Sequence, residues 1–288
     1  MGLKDVIIYI DKTEEALGRL RLAVDMASRH QSRLTALYIR EWSQAQLEQL
    51  KTAELGLASA TAFSRVVQSI EMSIDRACEE LRSSIDTLER ESGLTIEFRI
   101  VEGPAAIVVP QHARYGDLCI LGHYPATVDE PGSFSLSEKL LFTSGRPVLS
   151  IPPGWPSRAL GRHVAVAWNS SRAAARAVND ALPLIELAER RTIITINPAQ
   201  FIGRNRALPA EQMVAHLARH GSAPVELVEL EHVPEGSIGD VLQAKARELG
   251  ADFLVAGAFG HPRLWEKLFG GVTRDLLNRM NLPVLMSN

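Results

Sequence analysis

Two parts of this sequence resemble each other at a nearly constant spacing, and this internal repeat constrains the fold more than any other feature. Residues 116–122 read Gly-Asp-Leu-Cys-Ile-Leu-Gly, and residues 251–257 read Ala-Asp-Phe-Leu-Val-Ala-Gly, an offset of 135. Arg-Pro-Val-Leu-Ser at 146–150 matches Leu-Pro-Val-Leu-Met at 282–286, an offset of 136. The repeat predicts two copies of one βαβαβαβαβ unit, an order that requires parallel strands covered by helices on both faces.

Apolar periodicity supports this order along the chain. Short, nearly continuous apolar runs predict buried strands, and apolar residues at three- and four-residue steps predict helices. The predicted strands are 6–10, 34–39, 95–101, 117–121, 147–151, 163–168, 192–196, 225–230, 252–256 and 283–286. The predicted helices are 13–30, 71–91, 105–115, 136–143, 171–189, 209–220, 237–249 and 273–280.

A proline-rich segment separates the two copies. Residues 152–156 read Pro-Pro-Gly-Trp-Pro, a composition that is typical of a domain boundary. We expect one domain at 1–152 and a second at 160–288, each a five-stranded parallel sheet of the Rossmann-like α/β class. The length of 288 residues is sufficient for two such domains.

The composition excludes several kinds of protein. The net charge of -3 and the pI of about 6.3 argue against a nucleic-acid partner. No apolar run approaches the ~18 residues of a membrane span, and the N-terminus lacks a signal-peptide pattern. Cys78 and Cys119 have neither metal-ligand nor disulfide spacing. These features predict a cytoplasmic protein without a membrane or nucleic-acid partner.

A glycine-rich loop in the second copy is the strongest functional signal. The predicted strand that ends at Ala256 is followed by Gly257, Gly260, Gly270 and Gly271, and then by a predicted helix. Glycines let the backbone approach an anion closely, and the free N–H groups of a helix N-terminus point towards it. Strand, glycine loop and helix therefore predict a phosphate site, although the same glycines could serve only as turns.

The spacing Gly257-x2-Gly260-x9-Gly270, with Pro283-Val284-Leu285 opening the last strand, resembles the universal stress protein family in its tandem two-domain form. The resemblance covers nearly the whole chain. It implies adenine-nucleotide-hydrolase-like domains that bind ATP, with or without Mg²⁺, and that are not dedicated enzymes. The implied nucleotide-binding residues are Asn169, Thr195, Ile196, Ala256, Gly257, Gly260, Arg263, Gly270, Gly271, Val272 and Thr273.

Three departures from the family pattern limit this prediction. Gly271 stands where the family has Ser or Thr, so a hydroxyl for a phosphate is missing. Asn169 replaces the acidic residue at the end of the first strand, and it can reach a ribose without bringing charge. The first copy keeps Asp11 but has Pro125 in place of the second glycine, which removes an N–H donor. We therefore expect the first copy to hold a degenerate site.

Three functions follow as hypotheses. The first is a stress-response sensor or regulator that binds an adenine nucleotide in the second copy and acts on an unidentified protein partner. The second is a nucleotide-free interaction scaffold, which the changes at Asn169 and Gly271 favour. The third is a slow ATP hydrolase, for which the sequence supplies no base, nucleophile or metal cluster. We expect no enzyme activity, and a further homodimer is left open.

Overall fold

The structure is a computed structural model that describes residues 2–13, 15–41, 60–124, 134–156, 159–197, 209–234, 238–259 and 271–288. The strands are β1 (Asp5–Ile10), β2 (Arg33–Arg40), β3 (Ile96–Glu102), β4 (Leu118–Gly122), β5 (Val148–Ile151), β6 (His163–Ala167), β7 (Arg190–Ile196), β8 (Val225–Leu230), β9 (Phe253–Gly257) and β10 (Val284–Ser287). The helices are α1 (Glu15–His30), α2 (Ala60–Ser92), α3 (Ala105–Ala113), α4 (Leu136–Thr143), α5 (Arg172–Glu186), α6 (Glu211–Ala218), α7 (Ile238–Glu248) and α8 (Gly271–Asn278).

All ten strands form one sheet with the order β3-β2-β1-β4-β5-β10-β9-β6-β7-β8. The five strands of each half have the same order, and all neighbours within a half are parallel. The halves join where β5 pairs with β10 in antiparallel register, with Leu149 opposite Leu285. We call this pairing the seam. Because of it, the carboxyl ends of the two sets of strands lie at opposite edges of the sheet.

The sheet is covered on both faces, because both sides of its central strands are apolar. In β1, Val6, Ile8 and Ile10 belong to one core cluster, whereas Ile7 and Tyr9 belong to the other. The first cluster contains buried side chains of α1, α2, α5 and α6, and the second contains those of α3, α4, α7 and α8. This three-layer arrangement confirms the predicted α/β class.

The predicted elements agree with the structure except at several ends. Helix α2 begins at Ala60 rather than at residue 71, because Val66, Val67 and Ile70 continue its apolar face. Helix α8 begins at Gly271 and ends at Asn278, two residues earlier at each end than expected. The seam itself was not predicted, because the sequence pattern of a strand does not identify its neighbour across a repeat.

Two aspartates hold the amino ends of the first strands of the two halves. Asp117 Oδ2 accepts hydrogen bonds from the backbone N–H groups of Lys4, at 2.7 Å, and Asp5, at 3.0 Å. Asp252 accepts from the N–H groups of residues 161–163 at 2.7–3.2 Å. The two halves therefore repeat this contact as well as their strand order.

Candidate functional site

Three strand ends in the second half meet at one edge of the sheet. Strand β6 lies between β7 and β9, with Ala167 opposite Ile194 and Val166 opposite Val255. Asn169, two residues beyond Ala167, is therefore close to Ile196 at the end of β7. Asn169 is exposed, and its Oδ1 accepts a hydrogen bond from Ser171 N–H at 3.2 Å. The predicted ribose and adenine residues thus lie at one end of the sheet, where Asn169 is exposed and Ile196 and Ala256 are buried.

The end of β9 packs directly against the first turn of α5. A side chain at Gly257 would place its Cβ 2.4 Å from Ala174 N and 2.5 Å from the Ala173 carbonyl carbon. Only glycine permits this approach, since both of the crowded atoms are backbone. Ser171 caps the same helix by accepting a hydrogen bond from Ala174 N–H at 3.1 Å. Gly257 and the preceding Ala256 are therefore fixed beside a helix N-terminus.

A second helix N-terminus adjoins this edge. Helix α8 begins at Gly271, which is exposed, and no atom of another described residue lies within 4 Å of the position a Cβ would take there. Thr273 is buried, and its hydroxyl oxygen accepts a hydrogen bond from Phe259 N–H at 3.1 Å. The first residues of the loop are thereby tied to the helix, and the leading N–H groups of residues 271–273 have no partner within the helix.

Two polar residues at the carboxyl end of β7 complete the edge. Thr195 is buried, and among the described residues its hydroxyl has no hydrogen-bond partner. Asn197 adopts a left-handed conformation with φ of 49° and is buried. Its amide donates to Val233 C=O at 2.7 Å and accepts from Val233 N–H at 3.0 Å. Asn197 thus fixes the end of β7, and the sequence analysis did not identify it.

Part of the predicted loop is not covered by the structure. Gly260, Arg263 and Gly270 lie outside the described residues, so their predicted roles remain predictions. The other eight predicted residues are described, and the structure places them at the ends of β6, β7 and β9 and in the first turn of α8.

Residues of the first half pack against the start of the glycine loop and against α8. Phe259, which has a left-handed φ of 53°, stacks on Phe142 of α4 with ring centroids 4.1 Å apart and an interplanar angle of 25°. Arg274 Nε lies 3.5 Å from Oε1 of Glu138, whose side chain is buried. These contacts cross the seam, so the start of the glycine loop packs on the other half of the chain.

The corresponding strand edge in the first half is filled by the chain's own side chains. Arg19, 7% exposed, forms an ion pair with Asp11 at 3.1 Å. Thr13 donates to the same carboxylate through its N–H and hydroxyl, and the Tyr124 hydroxyl also donates to it. Burial alone would raise the pKa of Asp11, but the Arg19 charge and these hydrogen bonds hold it below its usual value.

Arg19 is the main residue that sequence reasoning missed. It lies on the buried side of α1, three residues after Ala16 and four before Ala23, both of which are buried. A charged residue at a core position of a helix normally has a buried partner, so this placement was a usable signal. The partner, Asp11, had been considered only as a ribose ligand.

Two features of other kinds of protein are absent from the described residues. Within the described ranges, no three His, Cys, Asp or Glu side chains lie together in a way that could hold a metal ion. In the same part of the chain, no helix is both long enough and apolar enough to cross a bilayer.

The fold and the exposed edge define an α/β protein of the Rossmann-like class, with a candidate site at the carboxyl ends of parallel strands. Residues 161–288 match the sequence model of the Universal stress protein family. Residues 161–288 therefore form a domain of that family, which confirms the resemblance for the second half.

Solved structures extend the shared fold to both halves. A universal stress protein from Archaeoglobus fulgidus has a TM-score of 0.68 at 15% identity, with 99% of this chain and 98% of that chain covered. A putative universal stress protein from Pseudomonas aeruginosa has a TM-score of 0.57 at 18% identity, with 99% and 93% covered. No curated protein matches the chain. At these identities the similarity establishes the fold of the first half and no more.

Proposed function

We propose that the second half binds an adenine nucleotide, with ATP as the expected ligand, and that the chain is a stress-response sensor or regulator. One observation carries the proposal. The N-terminus of α8, exposed at Gly271, is tied to the end of β9, because Thr273 accepts a hydrogen bond from the N–H of Phe259, two residues beyond Gly257. An anion next to a helix N-terminus is stabilised by the free N–H groups and the helix dipole.

Each part of the nucleotide has a proposed partner. The N–H groups of residues 271–273 would bind the phosphates, together with the sequence-predicted Gly260, Arg263 and Gly270. Asn169 would hydrogen-bond the ribose, and Ile196 and Ala256 would frame the adenine. The Thr195 hydroxyl, which is without a partner among the described residues, could accept or donate one further hydrogen bond. Mg²⁺ would be held by the phosphates rather than by a protein cluster.

The proposed role is binding without chemistry, in the cytoplasm, with an unidentified protein as the recipient of the signal. Asn169 brings no charge to the ribose, and Gly271 brings no hydroxyl to the phosphates. Backbone amides would therefore supply most of the phosphate recognition, and we expect modest affinity. The same two residues support the second candidate, a scaffold that binds no nucleotide.

Thermal unfolding with and without millimolar MgATP tests the proposal. A ligand at 100 times its dissociation constant stabilises the folded state by about 2.7 kcal/mol, so the melting temperature should rise. Gly271→Asp should remove the rise, because the new carboxylate would repel phosphate at that helix end. Folding should be unaffected, since within the described part of the chain no atom lies within 4 Å of the new Cβ, and an acidic residue suits a helix N-terminus.

Gly271→Ser is the matched control. It introduces the hydroxyl of the family pattern at the same open position, and one added hydrogen bond of about 1 kcal/mol corresponds to roughly fivefold tighter binding. If the unmodified chain and Gly271→Ser both show no shift, and acid extraction releases no nucleotide, the scaffold replaces the sensor.

A further inference from the structure

The residues at the carboxyl ends of the matching strands differ in exposure between the two halves. In the second half, Asn169 is exposed and Ala167, Trp168 and Gly257 are partly exposed. In the first half, the matching Tyr9, Ile10 and Gly122 are buried and Asp11 is partly buried. The difference is one of side-chain packing, since both halves have the same strand order.

One substitution accounts for most of this difference. Arg19 follows Asp11 by eight residues, and the residue eight positions after Asn169 is Ala177. The Arg19 guanidinium lies over Gly122, with Nη1 only 2.7 Å from the position that a Cβ would take there. Its Nη2 contacts Asp11 at 3.1 Å and the Tyr124 hydroxyl at 3.3 Å. The methyl group of Ala177 cannot make any of these contacts.

The aromatic residues that follow β4 and β9 also differ between the two halves. Tyr124 and Phe259 each lie two residues beyond the glycine that ends its strand. Tyr124 turns inward, where its hydroxyl donates to Asp11 and its ring lies 5.4 Å from that of Tyr9. Phe259 has no hydroxyl, and it packs across the seam on Phe142 instead. Arg19 and Tyr124 thus act together on one carboxylate.

We propose that Arg19, assisted by Tyr124, is the residue that closes the first half to a ribose-bearing ligand and confines binding to the second half. The Asp11 carboxylate is a suitable acceptor for ribose hydroxyls, but Arg19, Thr13 and Tyr124 already occupy its oxygens. The inference rests on the proposed function, because it assigns a ribose partner to this strand position.

Space for a ligand lies on the other side of Arg19. A cavity of about 390 Å³ borders α1 and the segment after β5, and Arg19, Arg21, Leu22, Ile151, Pro152 and Trp155 are among its lining residues. This volume is within the range of small-molecule sites. Because Arg19 contacts Asp11 and also lines the cavity, truncation of its side chain would connect the carboxylate to that space.

Equilibrium dialysis with radiolabelled adenosine tests this inference. Arg19→Ala/Tyr124→Phe gives the first half the residues of the second, and we expect it to bind one adenosine per chain more than the unmodified protein. Adding Asp11→Ala, which removes the proposed ribose acceptor, should weaken the gained site at least tenfold. Arg29→Ala, at an exposed position of the same helix that does not line the cavity, is the control and should leave the number unchanged.

The dialysis result tests the role of Arg19 even if the proposed function is wrong. An unmodified chain that binds no adenosine and is not stabilised by MgATP would refute the nucleotide site, yet a rise from zero to one in the double variant would still support the role of Arg19. A folded double variant without the extra site would overturn it. If the double variant does not fold, as judged by circular dichroism, Arg19→Gln removes the guanidinium but keeps a polar side chain at this position, and it should give a weaker gain. No gain in Arg19→Gln would then overturn the inference.

Discussion

Arg191 offers the strongest test of what stabilises the second half. It is 1% exposed in β7, and its guanidinium donates to the carbonyls of Leu217 at 2.7 Å, His220 at 2.6 Å and Gly221 at 3.1 Å, and also to that of Ala223. These carbonyls belong to the end of α6 and the turn before β8. One buried cation therefore satisfies a helix C-terminus that has few other donors.

Arg191→Met should destabilise the protein severely. Hydrogen bonds to a charged group contribute about 1.5–3 kcal/mol each, but four bonds from one buried guanidinium are not additive. Loss of the cation also removes the cost of burying it, so the net loss should be about 3–5 kcal/mol, since each buried acceptor left unsatisfied costs about 1–3 kcal/mol. The carbonyls left behind cannot all reach water while α6 stays packed.

Urea unfolding followed by far-ultraviolet circular dichroism measures this loss. With a slope of roughly 3 kcal/mol per molar urea, a loss of about 4 kcal/mol lowers the midpoint by about 1.3 M. Arg190→Met is the matched control, because the Arg190 side chain is 51% exposed and pairs with the exposed Glu226. Such a surface pair contributes under about 1 kcal/mol. If both variants lose similar stability, the reasoning about Arg191 is refuted.

Two further predictions concern the strand ends and pH. Asp252→Ala should cost more than Asp117→Ala, because it leaves three backbone N–H groups without an acceptor rather than two, and urea midpoints would show the order. His163 is 5% exposed, and burial lowers its pKa. As the pH falls below about 6.5, the unfolded chain therefore takes up a proton at this residue before the folded chain does. Stability should therefore be highest above that pH and fall towards pH 5, with a slope of up to about 1.4 kcal/mol per pH unit for this group. His163→Gln should flatten the dependence, and an unchanged slope would contradict it.

The sequence was sufficient to predict the order of strands and helices because both sides of the sheet are buried. Buried parallel strands appear as continuous apolar runs, and the helices between them have a clear apolar face. The strand ends that form the candidate site follow directly from this order. The sequence alone was enough to predict that Asn169, Ile196 and Gly257 lie at the same end of the sheet.

Other features depended on contacts between distant residues. Arg190 and Arg191 are the same residue type in adjacent positions, and only the strand's alternation turns one outward and the other into the protein. The carbonyl partners of Arg191 lie 26–32 residues further along the chain. Arg19 and Tyr124 meet at Asp11 across 105 residues. No local pattern contains such pairings, so the closed state of the first half could be inferred only from its defective loop.

The antiparallel seam has a consequence for any attempt to divide the protein. Residues 160–288 expressed alone would present β10 as an unprotected edge of four residues and would lack Phe142 and Glu138, which contact Phe259 and Arg274. Free strand edges tend to pair with other chains. The isolated half should therefore associate with a second copy of itself through β10, so that what is an intramolecular contact in the full chain becomes a dimer interface.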